Sequence, residues 1–140
     1  MPYSPVVPLV RIDVVKGWPE AELRAISDSV HRALVETLDV PERDRFQIVT
    51  EHAPERFLFD RSYLDIERSE RFVFVHVTLA AGRSTEVKQR FYALLDELLV
   101  DEVRLRPEDL GVMLVENGRE DWSFGHDLAS YLVLPRERWR

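Results

Sequence analysis

The chain has 140 residues, of which 45% are hydrophobic and 32% charged, enough for one globular domain with a buried core. Its formal net charge of −7 gives no basic surface for nucleic acid or an anionic membrane, and no apolar run approaches the length of a membrane span. The absence of cysteine excludes disulfides, thiolate metal sites and cysteine nucleophiles. Residues 1–7 show no secretory-signal pattern, so we expect a cytoplasmic protein.

The first half of the chain predicts a strand, a helix and a second strand. Pro8–Val15 is rich in β-branched residues that partly alternate with polar ones, which is typical of a strand. Pro19 then stands near the start of a helix, and Pro41 ends it. Apolar residues at helical spacing form one stripe: Leu23, Ile26, Val30, Leu34 and Leu38. Residues 45–52 alternate again and predict the second strand.

The same order of elements returns after an irregular stretch. Residues 53–70 mix aromatic and charged side chains, and we interpret them as a connection that contains one short strand. Residues 71–79 then predict a strand, 84–100 a helix and 110–115 a final strand. The inward side of this helix consists of Val87, Phe91, Leu94, Leu95 and Leu98. The pattern therefore predicts one α/β domain over residues 8–140, with residues 1–7 as an N-terminal extension.

Two consecutive β-α-β units predict a four-stranded mixed sheet with both helices on one face. The third strand then has two apolar faces, with Phe72, Phe74 and His76 on one side and Val73, Val75, Val77 and Leu79 on the other. Two helices cover only one face, so the other face needs a partner, and we expect an oligomer. The alternative is that residues 53–70 or the C-terminal tail fold back over it. Residues 131–134 of that tail are also candidates for docking on a neighbouring copy.

The turn between the third strand and the second helix, residues 80–86, is the first candidate for chemistry. Backbone N–H groups at a helix start favour an anion, and Arg83 at this position offers a bidentate contact to a carboxylate. Gly82 allows close approach of the backbone. The alternative is an exposed arginine beside an ordinary serine cap. If Arg83 binds substrate, we expect Arg83→Ala to weaken binding and to leave the fold intact.

Two further segments are candidates, and a metal site is not among them. Asp44, between two arginines before the second strand, is able to accept a proton or orient a water, although such a charged turn is usually solvated surface. Trp122 and Phe124 either form the wall of an apolar pocket or fix the tail to the domain. The four histidines lack metal-ligand spacing, and the chain has no GxSxG elbow, P-loop or GxGxxG motif.

Four blocks of sequence together resemble the malonate semialdehyde decarboxylase-like branch of the tautomerase superfamily. They are PLVRID at residues 8–13, VPERDRF at 40–46, GRSTEVKQ at 82–89, and the segment from Asn117 through WSFG at 122–125. The resemblance implies a β-α-β-β-α-β protomer, a homotrimer, no cofactor and an amino-terminal proline as the catalytic group. The resemblance also implies a role for each matching residue. Pro8 is the base or acid, Asp44 is a polar or water-orienting group, and Arg83 anchors a substrate carboxylate. Trp122 and Phe124 form the pocket wall.

The sequence departs from the family pattern in two places. The decarboxylases it resembles have a pair of arginines in the strand-to-helix turn, whereas this turn has Ala80 and Ala81 with only Arg83. That difference favours a tautomerase acting on a 2-keto or enol acid. Pro8 is also preceded by seven residues, and a proline amide has no usable lone pair, so we expect the active form to begin at Pro8 after translation from Val7 and loss of the initiator methionine.

Several functions remain open on the sequence alone. The preferred hypothesis is a cofactor-independent tautomerase for a small carboxylate substrate. The alternatives are a decarboxylase or hydratase of the same superfamily, a non-catalytic binding trimer of the same fold, and a ferredoxin-like regulatory domain with the same element order.

Overall fold

The computed structural model describes residues 8–139, so the N-terminal extension of residues 1–7 lies outside the described residues. The helices and strands follow the predicted order: β1 Pro8–Val15, α1 Glu20–Leu38, β2 Phe46–His52, β3 Val73–Ala80, α2 Thr85–Val103, β4 Leu110–Asn117 and a short α3 Ser130–Val133. None of the helices within residues 8–139 has the length and apolar character needed to cross a membrane.

The ends of the two long helices follow from local sequence. Pro19 precedes α1 in an extended conformation, and the acidic first turn of Glu20 and Glu22 suits the positive end of the helix dipole. At α2 the side chain of Ser84 accepts a hydrogen bond from the backbone N–H of Val87, as an N-cap serine does. Both helices end at a residue in the left-handed conformation, Asp39 after α1 and Arg104 after α2.

The four strands form one mixed sheet in the order β2-β1-β3-β4. β1 is parallel to β2 and β3 is parallel to β4, while β1 and β3 are antiparallel neighbours at the centre. The two strands of each β-α-β unit are therefore direct partners, joined by a crossover helix, whereas a ferredoxin-like fold splits them. The predicted four-stranded mixed sheet is confirmed.

The core lies between one face of the sheet and the two helices. Val10, Ile12 and Val14 of β1 and alternate residues of β3 are at most 1% exposed against apolar side chains of α1 and α2. The opposite face is only partly covered. Ile48, Met113 and Val115 on that face remain about two-fifths exposed, at 41%, 43% and 39%. The prediction of a two-sided apolar sheet with one uncovered face is thus correct in part, because some of this face is covered by the chain itself.

The connection between β2 and β3 differs from its prediction. It contains no strand, and its regular structure consists of 3-10 turns at Pro54–Arg56 and Tyr63–Asp65. Phe57 and Phe59 from this connection pack on Phe72 at ring distances of 6.0 and 4.8 Å, and Phe72 in turn contacts Phe74 of β3. The predicted alternative, in which the connection folds over the sheet, is therefore correct at one end of the uncovered face.

Candidate active site

All the predicted site segments meet at one end of the sheet. Pro8 is the buried first residue of β1 and pairs with Leu79, next to the last residue of β3. Its neighbour Leu9 pairs with Phe46, the first residue of β2. Ala80, at the end of β3, pairs with Asn117 at the end of β4. Because β1 and β2 begin where β3 and β4 end, four loops and strand ends that are distant in sequence surround Pro8.

Arg83 is buried at this end, with only 5% of its surface exposed. Its Nε and Nη2 atoms both donate to the carbonyl of Leu38, at 3.1 and 3.0 Å, and Nη1 donates to the carbonyl of Ala80 at 3.0 Å. Leu38 is the last residue of α1, whose carbonyl has no partner within the helix and attracts positive charge. Arg83 therefore joins the end of α1 to the end of β3. These contacts predict that Arg83→Ala lowers the stability of the fold, and the expectation that the fold stays intact without Arg83 stays a prediction.

Asp44 lies in a tight turn before β2 and is 8% exposed. The turn is closed by a hydrogen bond from the Asp44 backbone N–H to the carbonyl of Pro41, 2.9 Å long. The Asp44 side chain lines a cavity of about 230 Å³. The other lining residues are Arg43, Phe46, Phe124, Ser130, Tyr131, Leu134, Arg138 and Trp139. The turn is thus part of a concave site and not a fully solvated surface.

The two predicted aromatic residues have different positions at the cavity. Phe124 lines it and contacts Phe46 at a ring distance of 5.0 Å. Trp122 stacks on Phe124 with the rings 5.7 Å apart and 6° from parallel, and its indole N–H donates to Asn117 Oδ1 at 2.8 Å. The backbone N–H of Phe124 donates to Ser130 Oγ at 2.9 Å. Trp122 therefore supports the cavity wall that Phe124 forms. The segment both lines an apolar pocket and fixes the tail to the domain, so both interpretations of its aromatic residues describe it.

Comparison with known proteins places this geometry in a family. A family model described as tautomerase enzyme matches residues 44–125, and a second with the same description matches residues 8–64. Two proteins of Bacillus subtilis are similar over most of their length: probable tautomerase YrdN, 39% identical, and probable tautomerase YusQ, 34% identical. The alignments cover 91% and 90% of this chain and 98% and 99% of the relatives. The chain belongs to the tautomerase family.

Solved structures agree with this assignment. Two malonate semialdehyde decarboxylases have TM-scores of 0.83, at 35% and 41% identity, and the match covers 89% of this chain and 95% and 94% of theirs. A protein described as native fused 4-OT matches 89% of this chain and 98% of its own with a TM-score of 0.73, and at 20% identity it supports the fold alone. The tautomerase fold predicted from the sequence blocks is confirmed, and the ferredoxin-like alternative is excluded.

Tyr131 also lines the cavity, although its place in the sequence did not assign it to the site. Tyr131 was assigned to a tail that docks on a neighbour, but it is only 9% exposed within its own chain and packs against Ala80, Trp122 and Trp139. Burial raises the pKa of the Tyr131 phenol, and the nearby charge of Asp44 raises it further. Tyr131 is therefore a neutral hydrogen-bond donor at physiological pH. Leu132 and Val133, in contrast, remain more than half exposed, at 57% and 56%.

The signal for Tyr131 was present but ambiguous. A run of four apolar residues, 131–134, indicates burial without saying on what. Its inward member becomes evident only when the tail folds so that Phe124 and Trp139 contact the tyrosine ring, at 5.6 and 5.2 Å.

Residues 8–139 also contain no group of three or more metal-ligating His, Asp or Glu side chains.

Proposed function

We propose that this protein is a cofactor-independent tautomerase of a small 2-keto or enol carboxylic acid, with Pro8 as a catalytic amine at the amino terminus of the active form. The position of Pro8 supports this most directly. It begins β1 at the end of the sheet where Arg83, the Asp44 turn and the Phe124 wall converge. One family model also begins its match at residue 8. Malonate semialdehyde decarboxylase, a relative, has been solved with alanine in place of the proline at its first position.

The chemistry follows from the properties of a terminal secondary amine. A free α-amino group titrates near pH 7.7, and burial beside a fixed positive charge lowers its pKa further. Arg83 supplies such a charge, because its guanidinium donates to the carbonyl of Ala80, next to the residue that pairs with Pro8. The unprotonated amine takes the enol O–H proton and, once protonated, gives a proton to the neighbouring carbon, so that the C=C bond is replaced by C=O. The reverse sequence forms the enol, and no electrons leave the substrate.

The other site residues take supporting roles in this proposal. Asp44 orients the substrate or a water at the cavity, and Trp122 and Phe124 hold the apolar part of the substrate. The sequence predicts that Arg83 also contacts the substrate carboxylate, and that role stays a prediction. The cytoplasmic location inferred from composition stays a prediction as well.

Decarboxylation or hydration of a malonate semialdehyde-like substrate is the second candidate. It is favoured by the similarity to two malonate semialdehyde decarboxylases. It is disfavoured by Ala80 and Ala81, which stand in the turn where the family branch has a second arginine. Incubation with malonate semialdehyde and measurement of released carbon dioxide distinguishes the two. Carbon dioxide release with no ketonisation of phenylenolpyruvate would make the decarboxylase the correct function.

We also propose that the active form is a homotrimer in which the partly covered sheet faces meet. Fused 4-OT, a neighbour in fold, has been solved as a symmetric trimer. The exposed apolar residues on this face, Ile48, Met113 and Val115, are the surface that such an assembly buries. Light scattering at micromolar concentration is expected to give three times the protomer mass. A stable monomer contradicts the assembly.

The central test uses two versions of the chain, one starting at Met1 and one in which methionine directly precedes Pro8 and is removed after synthesis. Intact mass spectrometry establishes the first residue of each. We expect ketonisation of phenylenolpyruvate, followed by absorbance, only where Pro8 is the free terminus, because an internal proline nitrogen is an amide. Equal activity of a longer form that retains its first residues shows that Pro8 is not the catalytic amine.

A further inference from the structure

The arginines at the proline end of the sheet, where β1 begins at Pro8, differ in their contacts. Arg119 and Arg136 lie over the Trp139 ring, 5.8 and 5.1 Å from its centroid. Arg83 is held by the carbonyls of Leu38 and Ala80, and Arg45 donates to Asp28 at 2.7 Å and to Gln47 at 3.0 Å. Arg43 and Arg138 also lie at this end, but neither guanidinium has a hydrogen-bonding or ion-pair partner within residues 8–139. These two are also the arginines that line the cavity.

Both cavity arginines are presented by short, well-defined backbone segments. Arg43 lies in the turn that brings Asp44 to the cavity, where its carbonyl accepts a hydrogen bond from the Arg45 backbone N–H at 3.0 Å. Arg138 ends a 3-10 turn, and its backbone N–H donates to the carbonyl of Pro135 at 3.0 Å. The next residue, Trp139, fixes this turn by packing its ring on Tyr131. The two cations therefore come from distant parts of the chain and reach one cavity.

The rest of the lining favours a small acid with a planar apolar part. Arg43, Arg138 and Asp44 are the charged lining residues, so positive charge is in excess. Phe46, Phe124 and Trp139 supply flat apolar walls, and the Trp139 indole nitrogen is buried without a hydrogen-bond acceptor among the described residues. A volume of about 230 Å³ is below the roughly 300–1,000 Å³ typical of sites for drug-sized ligands. A compact aryl or unsaturated acid suits these dimensions.

We infer that Arg43 and Arg138 bind the substrate carboxylate, and that the substrate is a 2-keto acid with an aromatic or other planar apolar group against Phe46, Phe124 and Trp139. This inference rests on the proposed tautomerase function for the reacting 2-keto group. Guanidinium groups suit carboxylates because their N–H donors match the two oxygens. Three of the five N–H donors of Arg83 are directed at backbone carbonyls, so this residue holds the site together and adds positive charge to it.

The test measures binding without turnover. The probe is 3-phenylpropanoate, which has no ketone to react, and its uncharged partner is 3-phenylpropanamide; calorimetry gives both affinities. We compare the native chain with Arg43→Gln, Arg138→Gln and the double variant, and use Arg90→Gln, an exposed arginine on α2 outside the cavity lining, as the control of equal charge change. Melting temperatures verify the fold of each variant.

The native chain is expected to bind the acid more tightly than the amide. Each single substitution should weaken acid binding about tenfold, and the double variant should bind acid and amide alike, because charge-assisted contacts are lost. Amide binding and the Arg90→Gln variant should be unchanged. Arg43→Lys should fall between native and Arg43→Gln, because it keeps the charge and loses the paired donors.

Three results overturn the inference: equal native affinity for acid and amide, no binding of either probe, or acid affinity that the double variant retains. Its failure is separable from that of the tautomerase proposal. If the native chain binds acid and amide equally, or the double variant keeps its acid affinity, while the chain that begins at Pro8 still ketonises phenylenolpyruvate, only the arginine assignment is rejected. If both arginines are needed for tighter binding of the acid than of the amide, but the protein does not ketonise phenylenolpyruvate, the tautomerase reaction is rejected and the carboxylate site is supported.

Discussion

The two ends of the sheet have the same arrangement of strands and helices but different side chains. Residues that are 65 positions apart in the sequence occupy matching places in the two halves of the protomer. Pro8–Val15 matches Val73–Ala80, and Glu20–Leu38 matches Thr85–Val103. Gly17 matches Gly82 in the same way, and both have a positive φ, of 132° and 120°, after a central strand. Such angles favour glycine, which explains why this residue recurs at both turns. The protomer is therefore two similar halves arranged head to tail around the β1–β3 pair.

Side chains at matching positions differ between the ends. Arg83 at the proline end matches Trp18 at the other, which we call the closed end. At the closed end Arg71 stacks over the Trp18 ring at 4.0 Å and donates through Nη2 to the carbonyl of Val103, the last residue of α2. Each helix thus has an arginine at its final carbonyl, but the two arginines come from different positions in the two halves.

The matching aspartates show the same contrast. Asp109, the counterpart of Asp44, is fully buried, and its two oxygens accept hydrogen bonds from the backbone N–H and the hydroxyl of Ser69, each 2.7 Å long. Asp44 instead lines a cavity. The counterpart of Pro8 is Val73, an internal residue of the chain. The segment preceding β3 therefore fills part of the closed end, where a cavity of about 190 Å³ remains beside Trp18 and Arg71. The cavity of about 230 Å³ at the proline end is larger, and an aspartate lines it.

The largest expected effect is on stability, from truncating the matched pair Trp18 and Arg83. Trp18→Ala removes a ring that is 8% exposed and contacts Arg71, and should lower the free energy of unfolding by about 3–5 kcal/mol. Arg83→Ala should lower it by about 2–4 kcal/mol, because two backbone carbonyls lose charged donors. Urea unfolding measures both. An Arg83→Ala variant with native stability would mean that its contacts contribute nothing to the fold.

The aspartates give the sharpest test of the comparison between the ends. Asp109→Asn should cost about 1.5–3 kcal/mol of unfolding free energy, since one charged acceptor for Ser69 is lost, and should leave ketonisation at the native rate. Asp44→Asn should reduce the rate by about 100-fold, because it alters the group that orients the substrate or a water at the cavity. Rates are compared at a temperature where both variants are folded. Equal rate losses contradict a division between a catalytic end and a structural end.

The sequence predicted the framework better than the contents of the site. Periodicity and capping residues place the strands and long helices within a few residues, because apolar spacing reports directly which face is buried. The resemblance of four sequence blocks to the tautomerase superfamily, rather than local pattern, grouped Pro8, Asp44, Arg83 and Phe124, which lie at one end of the sheet. What the sequence missed depends on contacts between distant segments: the bonds of Arg83 to the end of α1, the burial of Tyr131, and the two cavity arginines. Local pattern does not reveal which arginine finds a protein partner.

The smallest expected effect is a pH dependence from Tyr131, whose counterpart 65 positions earlier in the sequence is Ile66, a side chain that does not titrate. In the unfolded chain the phenol loses its proton near its ordinary pKa of about 10. In the folded chain burial, and then the charge of Asp44, raises this pKa. Above about pH 10 the unfolded chain therefore binds fewer protons than the folded one, so the free energy of unfolding falls as pH rises, by at most about 1.4 kcal/mol per pH unit.

Tyr131→Phe should lose stability less steeply between about pH 9 and 11 than the native chain, whereas Tyr63→Phe, at a residue 64% exposed, should follow the native slope. Urea unfolding across this range gives the slopes, and parallel loss in all three proteins contradicts a buried phenol at the cavity.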